Sequence, residues 1–377
     1  MCSSRQRFLH AVRGLPTDRP PVWFMRQAGR HLPEYRALRQ QADFIQLCRE
    51  PRLCAAVTCQ PWQRYGLDAV IIFNDILTPL ADAGIKLHFD PGPRFERLIA
   101  HADDLHALAR PDYLRTPPDV ARCLEATRAS VGADVAMLGF VGAPFTVAAY
   151  AVAGAGAART TRLAGLDPPA LHTLAQTADW LLESLADYAA AQHLAGADAI
   201  QIFESAAADA PSEAYAALGL PRLERLIAAV HQRCPAVPII VFGLGLADHY
   251  ERLASQPGVA CLSVDHHQSL ADVRARLNNA GFGGAVQGNL DPAVLEQEPA
   301  VARQAAELLL QQWACLRPLQ PALADTSAAA AAAVPESGPA GWVFNLGHGV
   351  GAAARPESAL AVVEAVKRFE PVDGGAI

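Results

Sequence analysis

The sequence predicts an α/β fold: a single closed (β/α)8 barrel of the TIM type over residues 1–377, with a surface insertion before the last strand. Three observations predict it: eight short apolar runs, amphipathic helical stretches between them, and a polar group at nearly every run's end. Parallel strands covered on both faces read as near-continuous apolar runs, and each needs a crossover helix to reach the next. The runs are PVWFM (21–25), AVIIFN (69–74), AMLGFVG (136–142), AIQIFES (199–205), PIIVFG (238–243), CLSVD (261–265), GAVQGN (284–289) and WVFNLG (342–347). An open doubly wound sheet is the alternative fold.

The intervening helices are legible from their spacing. Leu171, Leu174, Ala178, Leu181, Leu185 and Tyr188 form one stripe, and Gly196 ends it. A helical stretch begins after Asp291 with Pro292 inside, and Leu270, Val273 and Leu277 precede a stop at Gly281. Pro356 and Glu357 open the last helix, which runs through Leu360, Val363 and Val366. Residues 317–340, with four prolines and six consecutive alanines, break this rhythm and read as a surface insertion. It precedes the eighth run and so belongs to the barrel end opposite the one that carries active sites.

Composition narrows the function classes. With 51% hydrophobic and 18% charged residues, 377 residues bury a large core. A net charge of −7, from 31 basic and 38 acidic residues, gives no global attraction for nucleic acid or an anionic membrane. No apolar stretch approaches a membrane span, and the beginning, MCSSRQRFLHAVRG, lacks a secretory apolar region, so a cytoplasmic location is expected. The eight cysteines contain no C-x-x-C and read as reduced, mostly buried thiols. Lys86 and Lys367 are the two lysines, which makes Schiff-base chemistry a poor fit.

Polar residues collect after the runs. RQAGRHLPEYRALR, directly after the first, carries Arg26, Arg30, Arg36 and Arg39 against one acid, Glu34. Guanidinium groups pair with carboxylate or phosphate through two parallel hydrogen bonds, so this is either an anion anchor or a solvated helix face. Asp75 follows AVIIFN, where it either caps a turn or presents an acceptor to the interior. Tyr150 closes an apolar stretch and is either a core residue or a hydroxyl needing a partner. Glu204 and Ser205 end the fourth run, and no G-x-S-x-G surrounds the serine. Asp265, His266 and His267 invite a metal, but adjacent strand residues point to opposite faces, so no metal site is expected. FNLGHGVG offers Asn345, His348 and a glycine loop suited to close backbone approach.

The set MRQAGRHLPEYRALR, IIFNDILTPLADAGIKLHF, GFVGAPFTVAAY, IQIFES, QGNLDP and FNLGHGV resembles the uroporphyrinogen decarboxylase family, from about residue 5 to about residue 370. The resemblance implies a cofactor-free, metal-free barrel, usually a homodimer, that removes four acetate carboxyl groups from uroporphyrinogen III to give coproporphyrinogen III. It implies that Asp75 sits beneath the macrocycle and accepts its pyrrole N–H bonds, and that Arg26, Gln27, Ala28, Gly29, Arg30 and Arg39 contact substrate. Tyr150, Ser205 and His348 match the remaining positions, and Asp75, Arg26, Tyr150 and His348 carry the catalytic assignment. Departures are ESAAAD at 204–209, DHHQ at 265–268 and the Ala/Pro-rich insertion. Two rivals follow: a zinc-dependent corrinoid methyltransferase of the related barrel family, which would need an H-x-C motif that is missing, and a non-catalytic tetrapyrrole-binding protein.

Overall fold

A computed structural model of the chain describes residues 2–89, 92–314 and 341–369. Nine strands occur among them: β1 (Ala69–Ile71), β2 (Leu87–Phe89), β3 (Pro93–Phe95), β4 (Ala136–Gly142), β5 (Ala199–Phe203), β6 (Ile239–Phe242), β7 (Val259–Ser263), β8 (Ala285–Leu290) and β9 (Trp342–Leu346). Seven of them form one curled parallel sheet in the order β1-β4-β5-β6-β7-β8-β9. Each neighbour in the sheet is the next in sequence once the β2–β3 hairpin is set aside, so a helical crossover separates every pair.

The first predicted run departs from expectation. Residues 21–25 make an isolated parallel bridge, Val22 opposite Phe344, rather than a strand. Pro20 and Pro21 have no N–H to extend a ladder, and the Met25 N–H is taken by the Asn345 side chain at 3.0 Å. The segment still bonds in both directions: Phe344 N–H donates to Pro21 O at 2.9 Å and Asp68 N–H to Val22 O at 2.9 Å. The antiparallel β2–β3 hairpin was not predicted. Its signal was the D-P-G-P turn sequence at 90–93 between two short alternating stretches. The Ala/Pro-rich segment 317–340 lies outside the described residues.

Predicted helices occur where the spacing placed them, except that the stretch after Asp291 is a 3-10 turn, Pro292–Glu296, and the α-helix begins only at Pro299. The longest, Pro168–Leu194, begins at Asp167, whose carboxylate accepts the Ala170 N–H at 2.9 Å. Its stripe of Leu174, Ala178, Leu181, Leu185 and Tyr188 is buried, each leucine contributing about 1.5–3 kcal/mol by leaving water. Seven cysteines are described, all free, and all but Cys2 are buried.

The two ends of the sheet treat charge differently. At the amino ends of the strands, buried Asp68 is neutralised by Arg7 at 3.0 Å and Arg19 at 2.7 Å, and Asp198 by Arg5 and Arg128 at 2.7 Å each. Such buried acids are tolerated because every oxygen has a partner. At the carboxyl ends Asp75 and Arg26 have no ion pair among the described residues, and the predicted site residues lie at those ends.

Candidate active site

Residues after the bridge at Val22 are fixed by the last strand. Asn345 accepts the Met25 N–H, and Val350 N–H donates to Met25 O at 2.8 Å. Arg26, clamped between them, adopts φ 56°, the left-handed region, at a cost of about 1 kcal/mol for a non-glycine residue. Its side chain runs past Gly349 so closely that a Cβ there would lie 2.6 Å from Arg26 Cδ. Gln27 is buried, and its side chain is spent on the backbone: Oε1 accepts from Phe24 N–H and Nε2 donates to Ala69 O. It therefore braces the segment against β1. Ala28 and Gly29 are half-buried, and Arg30 is exposed.

The guanidinium groups of this loop have no carboxylate partner. Arg36 donates to Arg30 O at 2.8 Å and half-buried Arg39 to Ala42 O at 2.7 Å. Glu34, the one acid of the loop, is gripped by both nitrogens of the Arg64 fork at 2.8 Å. Among the described residues, Arg26, Arg30, Arg36 and Arg39 have no carboxylate within 4.0 Å. A cluster of fork-shaped cations left open in this way suits an external polyanion.

Asp75 lies in the turn beyond β1. The strand ends at Ile71 because the Phe73 N–H is diverted to Thr58 Oγ1 at 3.0 Å. Asn74 then organises the turn, accepting from Thr78 Oγ1 and Asp75 N–H and donating to Tyr188 at 2.8 Å. Asp75 Oδ1 accepts the Leu77 N–H at 2.9 Å. Burial pushes its carboxyl above the usual range, opposed by that hydrogen bond and by the charge of Arg26. The carboxylate thus faces a half-buried space with a cation nearby and no ion pair. A notch of about 20 Å³ beside it is lined by Phe44, Cys48, Thr78 and Leu87. A wider open trough of about 740 Å³, bordered by Glu34, Gln60, Arg64 and Ser130, contains none of the predicted residues.

His348 is half-buried in the loop after β9. Burial, then the charges of Arg26 and His266, lower its pKa, which favours the neutral imidazole. Gly347 is packed on the His266 backbone, where a Cβ would come within 2.2 Å of the nitrogen. His266 and His267 lie in a turn beyond β7 rather than on the strand, with ring centroids 4.0 Å apart, which corrects the alternating-face expectation. Among the described residues no group of three or more His, Cys, Asp or Glu side chains is arranged to hold a metal ion.

Tyr150 is half-buried on the helix Pro144–Ala153, and the Arg159 guanidinium carbon lies 4.1 Å from its ring centroid. Ser205 is half-buried directly beyond β5. Its neighbour Glu204 is fully buried: one oxygen accepts from Thr146 Oγ1, and the other has no partner among the described residues. Burial pushes Glu204 up to about 8, against the Thr146 bond and the Arg159 charge. A folded-state pKa above the ordinary 4.5 means that stability is greatest below about 4.5 and declines as pH rises to about 8. Glu204→Gln should match the wild type in urea unfolding at about pH 5 and exceed it by about 3 kcal/mol at about pH 8.5. A constant gap across that range would show that Glu204 is ionised throughout.

A feature missed in the sequence joins these groups. Phe140 and Phe203 meet edge-on at 5.6 Å, Phe203 and Phe242 at 6.1 Å, and Phe242 and His348 at 6.2 Å. This row runs from β4 across β5 and β6 to His348. Its signal was readable as a phenylalanine at or near the end of successive runs, in GFV, IFE and VFG. The charge of Arg26 acts on both Asp75 and His348. Arg39 lies beside Tyr35, where its charge opposes the upward shift that burial gives the phenol.

A parallel α/β sheet with its polar groups gathered beyond the strands' carboxyl ends defines a barrel-type α/β enzyme. A family description, Uroporphyrinogen decarboxylase (URO-D), matches residues 3–369, and the chain belongs to that family. It is 35% identical over 373 residues to the uroporphyrinogen decarboxylase of Idiomarina loihiensis, covering 97% of this chain and 96% of that protein. It is 39% identical over 377 residues to that of Anaeromyxobacter dehalogenans, covering 96% and 98%. Among solved structures, a methyltransferase from Methanosarcina mazei shares the fold with a TM-score of 0.74 at 20% identity, covering 98% of this chain and 99% of that one.

Proposed function

We propose that this chain decarboxylates the four acetate side chains of uroporphyrinogen III, giving coproporphyrinogen III and carbon dioxide. The observation that carries the reading is the Asp75 carboxylate, half-buried beyond β1 with no ion-pair partner, facing the same neighbourhood as the unpaired Arg26. Losing carbon dioxide from an acetate leaves an electron pair on carbon. A pyrrole can receive it: protonation at a ring carbon makes a cationic ring, C–C cleavage neutralises that ring, and a second protonation delivers the methyl group. When the ring carbon then loses to solvent the proton it first took up, each acetate has consumed one proton and released one CO2. Such a route needs no metal or organic cofactor.

Asp75 accepts the pyrrole N–H bonds and opposes the cation in a site drier than water, where a fixed carboxylate is worth several kcal/mol more than in bulk solvent. Arg26 and Arg30 pair with acetate groups. Gln27 sets the loop, while Ala28, Gly29 and Arg39 line it, and Tyr150, Ser205 and His348 contact carboxylates directly or through water. The net charge of −7 repels an octacarboxylate at long range, so the short-range arginine cluster must hold it within a Debye length of about 8 Å. In this reading the chain is one domain over 1–377, its segment at 21–25 takes the first position of an eight-stranded barrel, and it works as a homodimer in the cytoplasm without nucleic acid or membrane. No helix among the described residues is long and apolar enough to cross a membrane.

The test is anaerobic incubation with uroporphyrinogen III, followed by oxidation and separation of the porphyrins by carboxyl number. Appearance of the four-carboxyl product supports the reading. Binding without loss of carboxyl groups would make the chain a tetrapyrrole carrier instead.

A further inference from the structure

We propose that Arg159, on the helix Ala157–Ala164, is a positioning residue that fixes the Tyr150 ring and couples it to the loop after β5. The guanidinium has two attachments and one nitrogen without a partner. Its central carbon lies over the Tyr150 ring, 4.1 Å from the centroid. Its edge is held by Asp209, from Nε at 3.0 Å and also from Nη2. Its remaining nitrogen, Nη1, is buried without a partner. Arg159 is 8% exposed, and a surface ion pair alone gives no reason to bury a cation so deeply. Stacking on an aromatic face does, because the ring quadrupole attracts the cation most where water is excluded.

Asp209 is the telling partner. It ends ESAAAD at 204–209, the stretch directly after β5, and it also accepts from Thr160 Oγ1 at 2.6 Å. Two residues of one helix therefore grip the loop that begins at Ser205, and the same arginine lies on Tyr150. On the amino side of the loop, Ala206 N–H donates to Thr146 Oγ1 at 3.0 Å, and Thr146 belongs to the Tyr150 helix. The loop carrying Ser205 and the helix carrying Tyr150 are thus joined twice, with Arg159 as the link that touches the ring. Arginine suits this place and lysine does not, since a plane is needed for the ring and a fork for the acid.

This inference rests on the proposed decarboxylase reading, and a double-mutant cycle separates the two. Arg159→Gln should lower kcat/KM roughly tenfold in the wild-type background, the size of one desolvated cation–π contact. In a Tyr150→Phe background, which keeps the ring and removes the hydroxyl, it should cost less than about twofold, because the group being positioned is gone. Equal losses in both backgrounds, or no loss in either, would overturn the assignment. Asp209→Asn, which retains the guanidinium and removes its anchor, runs through the same cycle if Arg159→Gln does not fold, and a loss confined to the wild-type background is again the expected result. If the wild type itself produces no decarboxylated product, the functional reading fails. Crystal structures of the wild type and Arg159→Gln then decide the positioning role, a displaced Tyr150 ring supporting it and an unmoved ring refuting it.

Discussion

Asp75→Asn is expected to lower kcat by at least about a hundredfold, with substrate affinity changed by less than about tenfold and thermal stability no lower than the wild type at pH 7. Asparagine keeps the Oδ1 acceptor that the Leu77 N–H uses at 2.9 Å, so the turn beyond β1 survives. What disappears is the negative charge opposite a ring that becomes positive only on the way to cleavage. A loss confined to that moment lowers kcat and leaves binding in place. Stability is expected to hold because burial raises the Asp75 pKa, which means that the folded state disfavours the charged form. The same direction gives a pH signature: activity should fall on the acid side as protons neutralise Asp75 at a pH above that of an ordinary carboxylate. Wild-type turnover in Asp75→Asn, read by product separation under anaerobic conditions, would remove the carboxylate from the chemistry.

Much of the fold was legible because a parallel sheet converts linear order into place. Apolar runs mark strands, and whatever follows a run stands at their carboxyl ends, where Asp75, Ser205 and His348 lie beyond β1, β5 and β9. Legibility failed where local hydrogen bonding overrode the pattern. Residues 21–25 read as a strand by hydrophobicity, yet the prolines at 20 and 21 and the Asn345 side chain leave one bridge in its place. The bracing bonds of the Gln27 side chain to Phe24 N–H and Ala69 O were likewise not legible. Arg159 carried no signal at all. It lies in a short segment, AARTTRLA, that reads as an ordinary polar helix, and its importance comes from Tyr150 and Asp209, nine residues before it and fifty after it.

Arg26→Lys should reduce kcat/KM by about tenfold to a hundredfold, because lysine supplies charge without the planar fork that pairs two oxygens of a carboxylate. The backbone makes a second variant more informative. Arg26 occupies φ 56°, which an L side chain enters at a cost of about 1 kcal/mol and glycine enters freely. Arg26→Gly should therefore abolish most activity while unfolding at no lower urea concentration than the wild type, with a gain of up to about 1 kcal/mol. Activity and stability moving in opposite directions at one position is the mark of a residue kept in a strained place for its chemistry. A steric variant completes the argument without touching the guanidinium. Gly349→Ala places a methyl group 2.6 Å from Arg26 Cδ, and since that atom belongs to a flexible, exposed side chain, the arginine should give way before the fold does. Its kcat/KM should fall by roughly tenfold with little change in unfolding midpoint. Wild-type kinetics in Gly349→Ala, together with unchanged kinetics in Arg26→Lys, would mean that the substrate never meets this arginine.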